Sequence, residues 1–326
     1  MEYFLAPMAG LSHRALRELI MEFGGCDRYF SEMISARGLL SGGHLERYYT
    51  DAGPRPELVV YQLMGPDADT IAEAAALLDQ RDCGGIDINM GCAAPAITRQ
   101  GGGVSWMAEP DAAVAMVQQV RCRVQRHPLS VKLRLGFDDD AGRLLEFCQR
   151  LEDAGVEMIT LHPRTAGQRF KRTARWGYVE QLAAGLGIPV VGNGDVGSAS
   201  RLTDRSHGPW GGVMVGRGAV QQPWIFAQAR AAAGPDTLSD RQEVDRLTVA
   251  LRFLELLRRH QPHEFWQSRA HRFFEYYCSN FSWGHNLYTA IRREGDLYAI
   301  GRRLREYFNR YPGERICLLR EPVLHA

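Results

Sequence analysis

The sequence is poor in lysine, although it is not short of cations. Of its 39 basic residues only Lys132 and Lys171 are lysines, and the rest are arginines. The net charge of +1 excludes a uniformly basic, histone-like nucleic-acid binder but leaves room for a local basic surface. Because arginine is the usual cation of this chain, a lysine inside an apolar strand requires a specific explanation.

Several protein classes are excluded by what the sequence lacks. No apolar run approaches the roughly 18 residues that are needed to cross a bilayer. Residues 1–4 do not combine a basic region with an apolar one, so we predict no signal peptide. The seven cysteines are scattered without a Cys-x-x-Cys pair, so we predict neither a disulfide framework nor a metal site. We expect a cytoplasmic protein that does not contact membranes and is a monomer.

Eight short apolar runs recur along the first part of the chain, and helical patterns separate most of them. Each step from one run to the next is too long for a hairpin and suits a right-handed crossover. The pattern predicts an α/β fold, a (β/α)8 TIM barrel over residues 1–235. The alternative, a doubly wound open sheet, lacks a Gly-x-Gly-x-x-Gly motif after the first strand. The runs are residues 4–8, 29–33, 58–63, 86–90, 129–133, 158–162, 189–192 and 212–216.

The character of the sequence changes after residue 235. No β-rich run follows, and residues 239–259, 264–278 and 298–309 have helical periodicity. We predict a smaller all-α helical domain over residues 236–326. Residues 241–320 contain fifteen arginines against nine acidic residues, with aromatic side chains interleaved.

Glycine-rich segments follow the seventh and eighth predicted strands, where the active sites of such barrels usually have a phosphate site. Asn193, Gly194 and Asp195 follow one strand, and Gly216 and Arg217 follow the other. Glycines there let backbone N–H groups point at an anion, and the guanidinium adds charge. The two segments together favour a phosphate-binding site over two glycine turns without a ligand.

Polar residues at the ends of other strands predict a site for a ring-shaped cofactor. Lys132 would point inward, which is costly unless its ammonium meets an anion or an electron-rich group such as a reduced flavin. The alternative is a lysine whose ammonium reaches solvent at the strand end. His162, Asn193 and Gln62 end at the same face, so we interpret His162 as a ligand contact rather than a structural histidine.

Two further features predict a chemical step on a polyanionic substrate. Cys92 ends the fourth strand before a loop with three consecutive glycines; a thiol with an ordinary pKa of about 8.5 can serve as an acid at neutral pH. The alternative for Cys92 is a small buried hydrophobe. After the sixth strand, residues 164–178 contain five cations and no acid, with aromatic residues close by. We expect this segment to rim the site and contact nucleic acid, the alternative being a solvated loop.

Six of these segments occur in an order that resembles the tRNA-dihydrouridine synthases. The similarity covers the barrel and extends into the helical domain through RAHRFFEY at residues 269–276. The spacing of the tail resembles the bacterial DusC subgroup, which acts on uridine 16 of tRNA. The segments are LAPMAG at 5–10, DINMGC at 87–92, SVKLRLG at 130–136, HPRT at 162–165, GNGD at 192–195 and GRG at 216–218.

The resemblance implies FMN at the barrel mouth, NADPH as the reductant and tRNA as the partner. It implies Cys92 as the general acid and Asn89 as the contact to the uracil edge. The implied cofactor contacts are Pro7, Met8, Gln62, Lys132, His162, Asn193, Gly194, Asp195, Gly216 and Arg217. The other predicted RNA contacts are Arg164, Arg169, Lys171 and Arg272.

The loop after Cys92 departs from the family pattern. A proline usually follows the cysteine and a lysine comes a few residues later, whereas this chain has Ala93 and then no lysine between residues 94 and 96. Two alternatives therefore stay open. One is a different FMN barrel reductase that acts on a small enone or pyrimidine, and the other is a catalytically inactive homologue that binds tRNA.

Overall fold

The first part of the chain folds into a closed barrel of eight parallel strands. The computed structural model describes residues 1–168, 170–233 and 243–319. The strands pair in chain order and β1 closes the barrel against β8, which confirms the predicted (β/α)8 fold. The strands are β1 Glu2–Leu5, β2 Arg28–Ser35, β3 Val59–Met64, β4 Gly85–Met90, β5 Leu129–Arg134, β6 Met158–His162, β7 Val190–Asn193 and β8 Gly212–Val215.

Helices follow the strands, and several begin at an aspartate. The carboxylates of Asp67, Asp140, Asp245 and Asp296 accept backbone N–H groups of the first turn, a cap worth about 1 kcal/mol each. In the described ranges the α-helices are α1 Arg14–Met21, α2 Ala36–Ser41, α3 Glu46–Tyr49, α4 Ala68–Asp79, α5 Pro95–Thr98, α6 Pro110–Arg123, α7 Ala141–Asp153, α8 Gly177–Gly185, α9 Ala199–Arg205, α10 Arg217–Gln221, α11 Ile225–Ala233, α12 Arg246–His260, α13 His263–Tyr277, α14 Gly284–Ile291 and α15 Leu297–Arg310.

The chain forms two compact units. The first comprises Met1–Ala9, Asp27–Asp195 and Arg205–Gly216 and contains all eight barrel strands. The second comprises Gly10–Cys26, Val196–Asp204 and the chain from Arg217 onward. The predicted domain boundary between residues 235 and 236 lies outside the described residues and stays a prediction.

Apolar side chains from neighbouring strands fill the barrel interior. Phe4 from β1 meets Phe30 from β2 edge to face, with ring centroids 6.4 Å apart. Val60, Val191 and Met214 complete this cluster from three other strands. Gly212 is required beside it, since a Cβ there would lie 2.3 Å from the Phe4 ring.

The bounds of β1 and β2 differ from the predicted ones for backbone reasons. Ala6 still donates to the carbonyl of Val215, but Pro7 has no N–H and ends the ladder, so the strand stops before the predicted residue 8. Strand β2 is longer than predicted and contains a register shift between Phe30 and Met33. A hydrophobic run alone shows neither effect.

The second unit is mainly helical, as predicted. Its core contains Phe253 stacked on Phe273 with centroids 3.7 Å apart, and Tyr277 stacked on Phe273 at 5.1 Å. The sequence did not predict an antiparallel strand pair in this unit, β9 Glu243–Asp245 with β10 Ile316–Leu318, because a strand of three residues is too short to show a periodic pattern. No helix in the described part of the chain is long and apolar enough to span a membrane.

A histidine is buried among cations in this unit. His13 is 1% exposed, and neither ring nitrogen has a hydrogen-bond partner among the described residues. The buried Arg17 and Arg269 lie close enough to repel a protonated ring. Burial is the main cause that lowers the pKa of His13 well below its ordinary value, and Arg269, Arg17 and His260 lower it further. Glu18 lies 2.9 Å from His260 on the edge of this cluster.

We therefore expect the protein to lose stability in mild acid through His13. Below the ordinary histidine pKa of about 6.5 the unfolded chain binds a proton that the folded chain does not, so the free energy of unfolding falls by up to about 1.4 kcal/mol per pH unit. The His13→Leu variant should lose this contribution in urea denaturation at pH 5.5 and 7.5. The exposed His285→Gln variant is the control. An unchanged slope in His13→Leu would contradict the assignment.

Candidate active site

Strands β3, β4 and β5 bring polar side chains into the barrel in register. Gln62 pairs with Asp87 across β3 and β4, and Asp87 and Asn89 pair with Ser130 and Lys132 across β4 and β5. Side chains two residues apart on a strand point the same way, so these groups share the inner face. The predicted residues Gln62, Asn89 and Lys132 are therefore brought together.

A buried chain of hydrogen bonds joins these strands. Ser130 Oγ donates to Asp87 Oδ1 at 2.6 Å, and Gln62 Nε2 donates to Asp87 Oδ2 at 2.7 Å. Asn89 Nδ2 then donates to Gln62 Oε1 at 2.8 Å. Asp87 and Ser130 were not among the predicted site residues. The signal for Asp87 was an acid between Ile86 and Ile88 in a strand that has only one other polar residue, Asn89.

This series of hydrogen bonds ends at the backbone of Cys92. Asn89 Oδ1 accepts the N–H groups of Cys92 at 2.9 Å and Gly91 at 3.2 Å. The carbonyl of Cys92 accepts from Val104 N at 2.9 Å, and Gly103 is required beneath it because a Cβ there would lie 2.4 Å from that oxygen. The half-buried Cys92 is thus fixed from both sides of its peptide unit.

Lys132 lies beside this series of hydrogen bonds and is only partly exposed. Burial lowers its pKa to about 8, and Arg134 adds to the effect, whereas Asp87 and Cys92 oppose it. Among the residues that the structure describes, none forms a hydrogen bond or an ion pair with the ammonium. A partly desolvated ammonium of this kind is suited to an electron-rich or anionic group that is bound at the barrel mouth.

The end of β6 forms a second network with the loop after β7. The guanidinium of Arg164 lies 3.1 Å from His162 Nε2 and 2.7 and 2.8 Å from the two oxygens of Asp195. Because arginine has only donors, His162 Nε2 is the acceptor of this hydrogen bond. Asp195 also accepts Ala174 N at 2.7 Å and has φ +56°, a strained conformation for a residue other than glycine.

This network corrects one prediction and qualifies another. Arg164 was predicted on the rim as an RNA contact, but it is 3% exposed and its donors are occupied by His162, Asp195 and the carbonyl of Arg172. It orders the site rather than presenting its charge to a large ligand. Asp195 was predicted to hold the cofactor, yet its carboxylate binds Arg164, so only its backbone remains well placed for that role.

The predicted phosphate-binding residues occupy the ends of β7 and β8. Asn193 uses its amide to donate to Met214 O at 2.8 Å. Gly194 has φ +123°, and a Cβ there would lie 2.9 Å from His162 Cδ2, so glycine is required. Gly216 lies beside Met8, whose sulfur would be 3.5 Å from a Cβ at residue 216. Pro7 and Met8 are both half-buried at the end of β1.

The remaining predicted residues lie at the surface. Lys171 is exposed, Arg217 is exposed at the start of α10, and Arg272 is exposed beside Gly10 in the second unit. Arg169 lies outside the described residues. The predicted roles of these residues towards phosphate or RNA stay predictions.

A cavity of about 440 Å³ in the first unit is lined in part by Ala93, the residue after Cys92. Small side chains form most of it, with one aromatic ring and one ammonium. Phe137 on its wall is 57% exposed, and the neighbouring Phe170, also 57% exposed, lies 5.7 Å from the guanidinium of Arg134. The lining residues are Ala93, Thr98, Val104, Phe137, Ala166, Gly167 and Lys171.

The family model and the relatives that match this chain carry the same family description. The family model described as dihydrouridine synthase (Dus) matches residues 4–293. A probable tRNA-dihydrouridine synthase 1 of Synechocystis sp. is 32% identical over 85% of this chain and 78% of its own length. A probable tRNA-dihydrouridine synthase of Rhodobacter capsulatus is 38% identical over 70% of each chain. A tRNA-dihydrouridine(16) synthase of Neisseria meningitidis is 28% identical over 93% of each chain.

Solved structures show a similar fold at much lower identity. Morphinone reductase in complex with tetrahydroNAD has a TM-score of 0.50 and 12% identity over 72% of this chain and 88% of its own. TcOYE with pHBA has a TM-score of 0.52 and 10% identity over 72% of this chain and 89% of its own. These two structures support the barrel architecture alone.

Proposed function

Because this chain belongs to the dihydrouridine synthase family, we propose that it reduces the C5–C6 double bond of a uridine in tRNA. The observation that carries the proposal is the placement of Lys132 on β5 opposite Asn89 on β4, the strand that Cys92 follows. The relatives of Synechocystis and Rhodobacter are named probable tRNA-dihydrouridine synthases. The relative that matches almost the whole chain is named for position 16, so we propose uridine 16 as the target.

We propose FMN as the cofactor and NADPH as its reductant. The residues present fit this group, because the ammonium of Lys132 has no hydrogen-bond or ion-pair partner among the described residues, and the ring of His162 lies beside the glycine-rich end of β7. Lys132 and His162 would hold the ring and ribityl region, and backbone groups at Gly194 and Gly216 would hold the phosphate. When bound there, FMN would supply hydride chemistry for the reduction of the double bond.

The protein itself supplies the proton and the geometry. The thiol of Cys92 donates a proton to one carbon of the double bond, and solvent then restores that proton. Asn89 fixes the backbone at Cys92, and its second amide hydrogen remains able to meet the uracil edge. The target base has to leave its stack first, at a cost of a few kcal/mol. Arginines of the second unit could offset this cost through contacts with phosphates.

The direct test of this function is a pair of measurements on the purified protein. We expect a flavin absorbance spectrum, and we expect dihydrouridine at position 16 by mass spectrometry after incubation of unmodified tRNA with NADPH. Colourless protein that binds no added FMN would contradict the cofactor. Yellow protein that binds tRNA but forms no dihydrouridine would favour an inactive tRNA-binding homologue. Turnover of a small enone alone would favour a different reductase.

The cavity beside Cys92 suits a nucleotide next to the target uridine. Phe137 offers a ring for stacking and Lys171 a cation for a phosphate. Because stacking on an aromatic side chain is worth about 1–3 kcal/mol per base, Phe137→Ala should raise the KM for tRNA by about 5- to 150-fold. The oxidation of NADPH without tRNA should not change. Leu77→Ala, which removes an exposed apolar side chain from α4, is the control. An unchanged KM in Phe137→Ala would place the neighbouring nucleotide elsewhere.

A further inference from the structure

A buried carboxylate, Asp87, lies at one end of the hydrogen-bonded amides that lead to the backbone of Cys92. Asp87 is fully buried, and burial raises its pKa to about 6 although Ser130, Gln62 and Lys132 oppose the shift. Asp87 Oδ1 accepts from Ser130 Oγ and Asp87 Oδ2 accepts from Gln62 Nε2, so both oxygens act as acceptors, as those of an ionised carboxylate do. The Gln62 side chain must then turn its NH2 group towards Asp87.

The constraint passes from one amide to the next. With its NH2 group on Asp87, Gln62 presents Oε1 to Asn89, and only the NH2 group of Asn89 can satisfy it. Asn89 is then left with Oδ1 facing the N–H groups of Gly91 and Cys92. A reversed Asn89 would place its NH2 group against these N–H donors. The side chains of Gln62 and Asn89 are 0% and 6% exposed, so water cannot easily replace a lost partner.

We propose that Asp87 is a positioning residue for the proton-donating cysteine, acting through Gln62 and Asn89 on the backbone of Cys92. This inference rests on the proposed function, because it assigns Asp87 to the protonation step and not to the reduction of the cofactor. Asp87 touches neither the proposed substrate nor Cys92 Sγ. Its effect on turnover is therefore an effect of geometry, and a displacement of about 1 Å at a reacting group can cost about 100-fold in rate.

Asp87 also influences Lys132, and this second route predicts a different result. The carboxylate favours the charged form of Lys132, so its loss would change the environment of the cofactor. In that case the reduction of the flavin by NADPH would change. The hydrogen bonds that lead from Asp87 through Gln62 and Asn89 to Cys92 are called the relay here. If Asp87 acts through this relay, its loss changes only the transfer to uridine and the exposure of Cys92.

The test compares Asp87→Asn with Asp79→Asn. Asp79 is an equally buried acid of the same unit, but its carboxylate accepts backbone N–H groups of Gln125, Arg126 and His127. We expect Asp87→Asn to slow uridine reduction by about 100-fold and to leave flavin reduction within about threefold of the native rate. Asp79→Asn should affect stability without this selective loss. Equal losses in both half-reactions of Asp87→Asn would overturn the proposal.

A second readout does not depend on turnover. The rate at which iodoacetamide alkylates Cys92 is measured by peptide mass spectrometry on tRNA-free protein, with the exposed Cys122 as the internal standard. We expect Asp87→Asn to accelerate the alkylation of the half-buried Cys92, because its peptide unit is less firmly held. Should Asp87→Asn not fold, Ser130→Ala removes one donor to the same carboxylate and should act in the same direction.

A double variant tests the polarity of the relay. In Asp87→Asn with Gln62→Glu, the new amide can donate to a carboxylate at residue 62, which again accepts from Asn89. Alkylation of Cys92 should return towards the native rate in the double variant. An alkylation rate in Asp87→Asn that equals the native rate, or no return in the double variant, would overturn the relay. If the native protein forms no dihydrouridine, the proposed function fails, whereas the alkylation results still decide the relay.

Discussion

Replacing Cys92 by alanine should give a protein that binds flavin and oxidises NADPH but forms almost no dihydrouridine. General acid catalysis by a positioned side chain typically contributes about 100- to 10,000-fold, and we expect a loss of this size. The flavin should stay bound because the proposed cofactor contacts lie on other residues. Single-turnover mixing of reduced protein with tRNA, followed by mass spectrometry, separates this step from the reduction of the cofactor.

The matched control is the alanine variant of another cysteine next to β4. Cys83 precedes the strand and is 8% exposed, whereas Cys92 follows it. Burial raises the pKa of Cys83 to about 11, so its thiol stays protonated and unreactive. Cys83→Ala should retain the native rate of uridine reduction. If Cys92→Ala also reduced tRNA at the native rate, Cys92 would not be the proton donor, and the loop after β4 would have a different role.

The barrel could be predicted from the sequence because each strand carries its own local signal. The run at residues 158–162 matches β6 Met158–His162, and the other runs match their strands to within a few residues. The period of the apolar residues and the length of each crossover suffice for this fold. The register shift in β2 and the end of β1 at Pro7 depend on individual backbone hydrogen bonds, which no hydrophobic pattern records.

The partners of the site residues were harder to predict than their positions. Lys132 could be singled out because lysine is rare in this chain and the strand around it is apolar. Asp87 carries a similar local signal, but its role depends on Gln62 from another strand, and that contact exists only in the closed barrel. Asn89 and Gln62 were predicted as contacts to ligands, whereas the structure shows that much of their hydrogen-bonding capacity is used within the protein.

Arg164 shows most clearly what the sequence could not provide. It lies in a run of cations, and a run of cations is usually solvated, so the sequence favoured an exposed role. The partner that draws Arg164 inward is Asp195, which is 31 residues away in the chain and follows the next strand. A buried ion pair between the ends of two strands leaves no local signal, because neither residue has its partner nearby in the sequence.

Replacing Arg164 by methionine should therefore destabilise the protein strongly and weaken the binding of the cofactor. Removing one partner of a buried ion pair typically costs about 3–5 kcal/mol, because the other charge is left without compensation. Asp195 would keep the N–H of Ala174 but lose both bonds from the guanidinium, and His162 would lose the donor at Nε2. We expect the free energy of unfolding to fall by about 3 kcal/mol, at the lower end, since Asp195 is partly exposed.

An exposed arginine of the same unit provides the comparison. Arg143 lies 3.3 Å from both Asp138 and Asp140, yet its side chain is 75% exposed, and Arg143→Met should cost less than about 1 kcal/mol. Adding Asp195→Asn to Arg164→Met should recover part of the loss, because the uncompensated charge is then removed. Urea denaturation of the four proteins, together with flavin titration of each, measures these effects. Equal costs for Arg164→Met and Arg143→Met would show that the pair does not hold the ends of β6 and β7 together.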